Sequence, residues 1–187
     1  MAIVQTICGQ TITLIQNVSA EFKIWDKTFG GSDTDEIISM ITTSDGGYLL
    51  GGSSNSNSSV DKSENSRGNY DFWVVKVNAN GQKQWDRTFG GLGEEKLAGV
   101  IATPDGGFLL SGHSGSSAGG DKTENSRGGF DFWIMKINAN GQKQWDKTFG
   151  GNNTDYFGTI ISTLDGGFVI GGNSTSNISA IPFTPIR

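Results

Sequence analysis

The feature that most constrains this chain is an internal repeat of sixty residues. The segments WDKTFGG, WDRTFGG and WDKTFGG begin at Trp25, Trp85 and Trp145, and the segments SDGGYLLGG, PDGGFLLSG and LDGGFVIGG keep the same spacing. A regular period means that one structural unit is built several times and that neighbouring units bury a common core. The fold therefore depends on what a single unit forms.

Each unit contains four short apolar runs bounded by turn residues, and these runs predict β-strands. In the first complete unit the predicted strands, A to D in chain order, are residues 36–44, 48–53, 72–77 and 83–89. Asp45-Gly46 predicts a type I′ turn between A and B, and Asn80-Gly81 predicts the turn between C and D. Strand C is apolar on both faces apart from Lys76, which is typical of a sheet covered on both sides. Four antiparallel strands per unit predict a β-propeller blade, with a β-solenoid as the alternative.

The two ends of the chain are predicted to be halves of one blade. Residues 11–25 align with 131–145, so the chain begins with strands C and D and ends with strands A and B. Residues 1–10 are expected to lie in the register of the B–C loop. The predicted organisation is a single propeller domain over 1–187, with split-blade strands C and D in 11–31, full repeats in 32–91 and 92–151, split-blade strands A and B in 152–180, and a tail in 181–187.

A chain with three blades cannot close a ring by itself. Each blade would have to turn by about 120°, which is too sharp for sheets that pack about 10 Å apart, and propellers usually have at least four blades. Two chains that exchange their terminal half-blades would complete a six-bladed homodimer, whereas an exchange that does not close would form an open filament. The chain could also be part of a longer protein. The predicted fold is therefore an all-β propeller of four-stranded antiparallel blades, completed to six blades by dimerisation.

The motifs DGGYLLGG, DFWVVKVNANGQKQW and WDKTFGG resemble the propeller repeats of large secreted proteins of Bacteroidetes, over roughly residues 11–180. More distantly, they resemble Kelch repeats and the quinoprotein repeat, in which the NG-x-x-x-W segment docks a tryptophan. The resemblance implies a propeller that serves surface adhesion or binding, outside the cell or on its surface. The opening residues show no signal peptide, so we do not carry secretion over from the resemblance.

Composition excludes several classes of function. The net charge is −5, and a chain without clustered basic residues is not expected to bind nucleic acid. Cys8 is the single cysteine, so neither a disulfide framework nor a cysteine zinc cluster is expected. No apolar run approaches the length of roughly 20 residues that a membrane-spanning helix needs.

The long loop between strands B and C is the predicted binding site. Residues 61–71 and 121–131 match at eight of eleven positions, whereas residues 35–44 and 95–104 match at only two of ten. A loop that repeats more closely than a core strand is under some constraint. The candidate ligand-binding residues are Asp61, Glu64, Asn65, Arg67, Tyr70, Asp71, Asp121, Glu124, Asn125, Arg127, Phe130 and Asp131.

Two explanations of the loop remain open at this point. Its oxygen atoms could bind Ca²⁺ or a sugar, with Tyr70, Phe130 and Tyr156 as an apolar platform. Alternatively, Arg67 and Arg127 could pair with the acidic residues of their own loops and fold each loop onto its blade. The spacing of the acidic residues does not match an EF-hand loop.

The sequence favours a protein that is not an enzyme. His113 is the only histidine, and no serine-hydrolase, zinc-protease or P-loop spacing occurs. Carboxylates in the D–A loops (30–36, 90–96 and 150–156) could form an acid and base pair as in glycosidases, but we expect them to be solvated. The tryptophans are predicted to dock the blades against one another: Trp25, Trp73, Trp85, Trp133 and Trp145.

The functional hypothesis is an oligomeric propeller that acts as a structural, adhesive or protein-interaction module, with no cofactor. The alternative is a lectin-like propeller with repeated sites, for which Ca²⁺ is the candidate cofactor. A propeller hydrolase is the third hypothesis.

Overall fold

The computed structural model describes the backbone of residues 3–7, 11–18 and 21–177, and the side chains of residues 26–177. The described residues are all-β, and none of them belongs to a helix that could cross a membrane. The strands are β1 (Ile3–Ile7), β2 (Thr11–Val18), β3 (Glu21–Lys27), β4 (Asp35–Thr42), β5 (Tyr48–Ser54), β6 (Asp71–Val77), β7 (Lys83–Phe89), β8 (Glu95–Ala102), β9 (Phe108–Ser114), β10 (Asp131–Ile137), β11 (Lys143–Phe149), β12 (Asp155–Ser162) and β13 (Phe168–Ser174).

The two complete repeats each form a four-stranded antiparallel sheet. Its strands follow chain order, β4-β5-β6-β7 and β8-β9-β10-β11. The predicted all-β class with four antiparallel strands per repeat is confirmed. All seven residues of β6 are buried, so the prediction that strand C is covered on both faces is also confirmed.

The prediction of a type I′ turn at Asp45-Gly46 is wrong. The N–H of Gly46 donates to the carbonyl of Thr43 (2.9 Å), so the two central residues of the turn are Ser44 and Asp45. Gly46 follows them with a φ of 79°. This is a type I turn extended by a left-handed glycine, a common alternative for hairpins with a three-residue loop. The Asp45 carboxylate stabilises it by accepting the Gly47 N–H at 3.1 Å.

Successive sheets stack through their apolar faces. Leu49 and Phe72 of the first sheet pack against Leu110 and Trp133 of the second, and the rings of Phe72 and Trp133 lie 4.8 Å apart. Gly112 makes this approach possible, because a Cβ there would lie only 2.8 Å from the Cζ of Phe72. The same glycine contact recurs one repeat later, where a Cβ at Gly172 would lie 2.8 Å from the Cζ of Phe132, and each junction has its own apolar cluster.

The stack that begins with β4 has a third sheet, which consists of two described strands, β12 and β13. Phe157 and Ile160 of β12 pack against Leu109 and Ile134 of the preceding sheet, as the repeat predicts. Among the described strands from β4 onward, the stack runs in chain order and no closed ring is formed. Strands A and B are therefore the described part of this last repeat.

The first sheet, β1-β2-β3, departs from the prediction in two ways. Residues 1–10 were expected in a loop register, but Ile3–Ile7 forms β1 and pairs with β2. In addition, the register between β2 and β3 is shifted. Lys147 pairs with Ile134, so the repeat predicts that Lys27 pairs with Leu14. Lys27 instead pairs with Ile12, two residues earlier. A tighter connection between β2 and β3 explains the shift, because Val18 pairs directly with Glu21.

Candidate functional site

The first B–C loop is bound along its length to strand β7 of its own sheet. Asp86 accepts the backbone N–H of Ser63 at 2.8 Å and also the Ser63 hydroxyl. Glu64 accepts the backbone N–H of Thr88 at 3.1 Å. Lys83 donates to the carbonyl oxygen of Asp61 at 2.6 Å. The loop therefore lies on the blade rather than standing free of it.

Arg67 joins the first loop to the second. Its guanidinium donates to the carbonyl of Thr88 at 2.6 Å, and it lies 3.3 Å from the Asp121 carboxylate and 3.7 Å from Glu64. Asp121 also accepts the backbone N–H of Gly90 at 3.1 Å. The pair of Arg67 with Glu64 lies within one loop, as the sequence predicted, and the pair with Asp121 in addition connects two repeats. We call the contacts of Arg67 with Asp121 the inter-repeat clasp.

The second loop repeats these contacts only in part. Glu124 accepts the backbone N–H of Thr148 at 2.9 Å and pairs with Lys147 at 3.0 Å. Arg127 donates to the carbonyl of Gly150 at 3.1 Å. The position sixty residues after Asp121 is Ile181, which lies outside the described residues. By sequence alone, Arg127 therefore lacks the acidic partner that Arg67 has.

The asparagines of the two loops have structural contacts. The side-chain oxygen of Asn65 accepts the N–H of Ser58 at 2.9 Å, and that of Asn125 accepts the N–H of Ala118 at 2.8 Å. Such bonds close a polar loop on itself. These amide oxygens are therefore already used within the protein.

Buried carboxylates meet at each junction between repeats. Asp71 and Glu95 are fully buried, and a Cβ at Gly90 would lie 1.8 Å from Asp71 Oδ1 and 2.7 Å from Glu95 Oε2. Asp131 and Asp155 occupy the equivalent positions at the next junction. The expectation that the D–A loop carboxylates are solvated is therefore wrong for Glu95 and Asp155.

The first of these pairs holds a proton more tightly than an ordinary carboxyl group. Burial raises the pKa of Asp71 to about 6, and the Glu95 charge adds to the effect, while the N–H groups of Arg67 and Gly68 oppose it. Asp71 Oδ1 has no hydrogen-bond partner in the described structure. A proton on Asp71 would relieve the repulsion between two buried negative charges.

Two buried lysines received no role from the sequence. Lys62 is fully buried and donates to the Glu64 carbonyl at 2.7 Å and to the Thr88 hydroxyl at 2.9 Å. Lys122 is also buried and bonds to Thr148. Burial lowers the pKa of both, that of Lys122 to about 8. The sequence could have pointed to them, because both copies of the loop have a lysine at this position. A solvated lysine would be free to differ between the copies.

The aromatic candidates differ between the two junctions. Tyr70 lies beneath the ammonium group of Lys96, which is 3.2 Å from the ring centroid. Phe130 instead packs against His113 at 5.1 Å and Tyr156 at 5.6 Å. Burial, with the nearby charge of Lys96, lowers the pKa of His113. His113 is thus a packed, neutral residue without an acidic partner among its described contacts.

The tryptophans divide into two groups. Trp73 and Trp133 are fully buried, and each indole N–H donates to the aspartate of the adjacent strand, Asp86 at 3.2 Å and Asp146 at 2.9 Å. Trp85 packs at the edge of the inter-repeat core. Trp145 does so one repeat later, against the half sheet. The side chain of Trp25 lies outside the described residues.

Ca²⁺ binding finds no support in the geometry of the loops. Within residues 26–177, no group of three His, Cys, Asp or Glu side chains is arranged to hold a metal ion. The oxygen atoms of Glu64 and Asn65 accept internal hydrogen bonds, and Asp71 lies in the buried junction. The loops therefore form intramolecular contacts with the groups that were predicted to bind a ligand.

Comparison with known proteins finds one protein that is similar in sequence. The chain is 25% identical over 175 residues to the regulatory protein FlaEY of Caulobacter vibrioides, covering 90% of this chain and 18% of that protein. This chain thus corresponds to less than a fifth of the length of the relative. No protein-family model matches the chain.

Proposed function

We propose that this chain is a non-enzymatic, propeller-type repeat module with a structural or protein-interaction role, and that it assembles with itself. The observation that carries this proposal is the use of the loop side chains. Lys62, Glu64 and Arg67 bind strand β7 or the next repeat instead of facing an open cleft. The B–C loops hold the repeats together, so their close similarity follows from a structural role.

Self-assembly is supported by an apolar face that no described residue covers. The half sheet β12–β13 exposes hydrophobic side chains, among them Ile161 and Val169. Exposed strands and apolar faces of this kind favour association with another chain. The proposed assemblies are a six-bladed homodimer, formed by exchange of half-blades, or an open filament.

The resemblance to secreted propeller repeats suggests adhesion as one use of such an assembly. The relative from Caulobacter is named a regulatory protein, and a module that acts through protein contacts would suit a regulatory role. Neither likeness points to a chemical reaction at a named residue.

A lectin-like role is the second candidate, and one observation favours it. Phe130 and Tyr156 form an aromatic cluster with His113 beside the loops, and Tyr156 is 47% exposed. An exposed aromatic ring can stack on a sugar, as rings that combine an apolar body with a polar group do at many binding sites. The equivalent cluster at the first junction contains Tyr70 and Lys96, so a sugar site would be present once rather than repeated.

The test combines molar mass with ligand stabilisation. Light scattering on a size-exclusion column should give a mass of at least twice 19.9 kDa at the protein concentrations used. The melting temperature should not change with added Ca²⁺ or with a panel of simple sugars, because a ligand raises it only by binding the folded state. A monomer whose melting temperature rises with a sugar would contradict the proposal and favour the lectin.

A further inference from the structure

Strand β13 has one edge without a partner among the described strands. In both complete sheets the equivalent strand has neighbours on two sides: β5 pairs with β4 and β6, and β9 pairs with β8 and β10. Within the described chain, β13 pairs with β12 alone. No described strand pairs with its second edge, and an edge of this kind readily pairs with a strand from another chain.

The face beside this edge is also uncovered. Val169 is 53% exposed, whereas its equivalents Leu49 and Leu109 are 0% and 1% exposed. Ile161 is 57% exposed, whereas its equivalents Ile41 and Ile101 pack into the inter-repeat cores. At the other junctions this face is covered by strands A and B of the following repeat. The repeat thus specifies the chemistry of the missing neighbour, which is another sheet of the same kind.

We propose that the open edge of β13 and the exposed face of β12–β13 bind a second copy of this chain, through its β2–β3 hairpin and the β4 strand that follows. The inference rests on the self-assembly proposed above and identifies its contact surface. Strands β12, β13, β2 and β3 would form one four-stranded sheet, in the order found in the two complete repeats.

The β2–β3 hairpin is the matching donor because its strands align with strands C and D of the repeat and no described strand lies in the position of strand A beside them. Strand β1 lies in the position of strand B. Strand β3 leads into β4 through residues 28–34, as β7 leads into β8 through residues 90–94. A hairpin that completes the sheet would therefore bring β4 of the second copy against Val169 and Ile161.

One strand must move for this exchange. In the structure β1 occupies the edge of β2 and forms five residue pairs with it. The equivalent pairing of strands B and C in the complete sheets has seven residue pairs. Strand β13 can therefore replace β1 with a longer pairing and cover an apolar face as well. Reciprocal exchange between two copies closes a dimer, and one-way exchange continues as a filament.

The experiment compares charge at the proposed contact with the same charge placed elsewhere. The double variant Ile161→Lys/Val169→Lys puts two charges on the exposed face, where folding of the chain should tolerate them. Leu164→Lys is the matched control, because Leu164 is fully exposed at the turn between β12 and β13 and lies away from that face. Light scattering over a range of concentrations should show dissociation of the double variant at concentrations at least 100-fold above those for the wild type, with the control unchanged.

A second variant tests the edge itself. A copy of residues 131–149 attached after residue 177 supplies strands C and D from within the chain, and it should make the protein monomeric. A scrambled sequence of the same composition should not. If the wild type assembles and all these variants assemble equally well, the contact surface lies elsewhere and only this inference fails. If the wild type is a monomer at every concentration, the proposed self-assembly fails with it.

Discussion

The strand pairs β8–β9 and β12–β13 have the same position in the repeat but different surroundings. Leu109 on β9 is 1% exposed and packs against the next sheet, whereas Val169 on β13 is 53% exposed. Strand β9 has two neighbours, and β13 has one among the described strands. The difference shows that the environment of a residue in this repeat is decided by the neighbouring repeat, since the local pattern is nearly the same in both places.

The largest expected effect is the difference in stability loss between two single variants, one with a lysine in place of Leu109 and one with a lysine in place of Val169. Leu109→Lys should destabilise the fold by about 3 kcal/mol or more, because an ammonium group would lie in an apolar core without a partner. Val169→Lys should change the stability of the unassembled chain by less than about 0.5 kcal/mol, as surface substitutions usually do. Urea unfolding at protein concentrations where the chain is unassembled measures both values. A similar loss in the two variants under these conditions would mean that the chain itself covers the face of β13.

The buried carboxylates give a second, pH-dependent comparison. The pKa of Asp71 is raised from 3.8 to about 6, so the folded state binds this proton more tightly than the unfolded state. The stabilisation from this group is full below pH 4 and is lost as the pH rises through about 6. Asp71→Asn should therefore stabilise the protein by about 1–2 kcal/mol at pH 7.5, since an amide can accept the Arg67 N–H and donate to Glu95.

The measurement is the melting temperature of the wild type and the variant between pH 4 and 8. The difference between them should grow with pH and nearly vanish at pH 4. Asp131→Asn is the counterpart at the next junction, where the pKa of Asp131 is also raised by burial and by Asp155. The groups that face Asp71 are Arg67, Glu95 and, at longer range, Lys62, and they are unchanged in the variant. A constant difference across this pH range would exclude titration of Asp71 as its cause.

The smallest expected effect concerns the inter-repeat clasp. Arg67→Ala should cost roughly 0.5–1 kcal/mol, because its pair with Asp121 is partly exposed and such pairs contribute little. Arg127→Ala should cost less, since the position equivalent to Asp121 in the next repeat is Ile181. Unfolding in urea at low and high salt should show that the Arg67 effect decreases with salt more than the Arg127 effect. An equal effect of salt on both variants would place a partner near Arg127.

The strands of the complete repeats could be predicted because their patterns are local. The boundaries of β5, β6 and β7 agree with the predicted strands to within one residue. The turn at Asp45-Gly46 was predicted wrongly, since the same residue pair suits both a type I′ turn and the left-handed end of a longer loop. The pairing of β1 with β2 was missed because residues 1–10 have no counterpart with a strand pattern in the repeat.

The contacts of the candidate residues could be predicted only in part. The sequence predicted the pair of Arg67 with Glu64, but it did not predict the pair with Asp121 of the following repeat. Lys62 and Glu95 have a polar sequence context that predicts exposure, yet both are fully buried. Their burial depends on groups more than twenty residues away, such as Thr88 and Asp71, which no local pattern identifies.

The sequence by itself determined the period of sixty residues, the four strands of each complete unit and the apolar alternation that lets the units stack. These properties follow from side-chain periodicity along the chain. Only the tertiary structure decided which polar side chains are buried, which loops bind to one another and where the stack remains open. The physical reason is that burial and hydrogen bonding are properties of neighbours in space, so equivalent residues such as Leu109 and Val169 differ when only one of them is covered by a described neighbour.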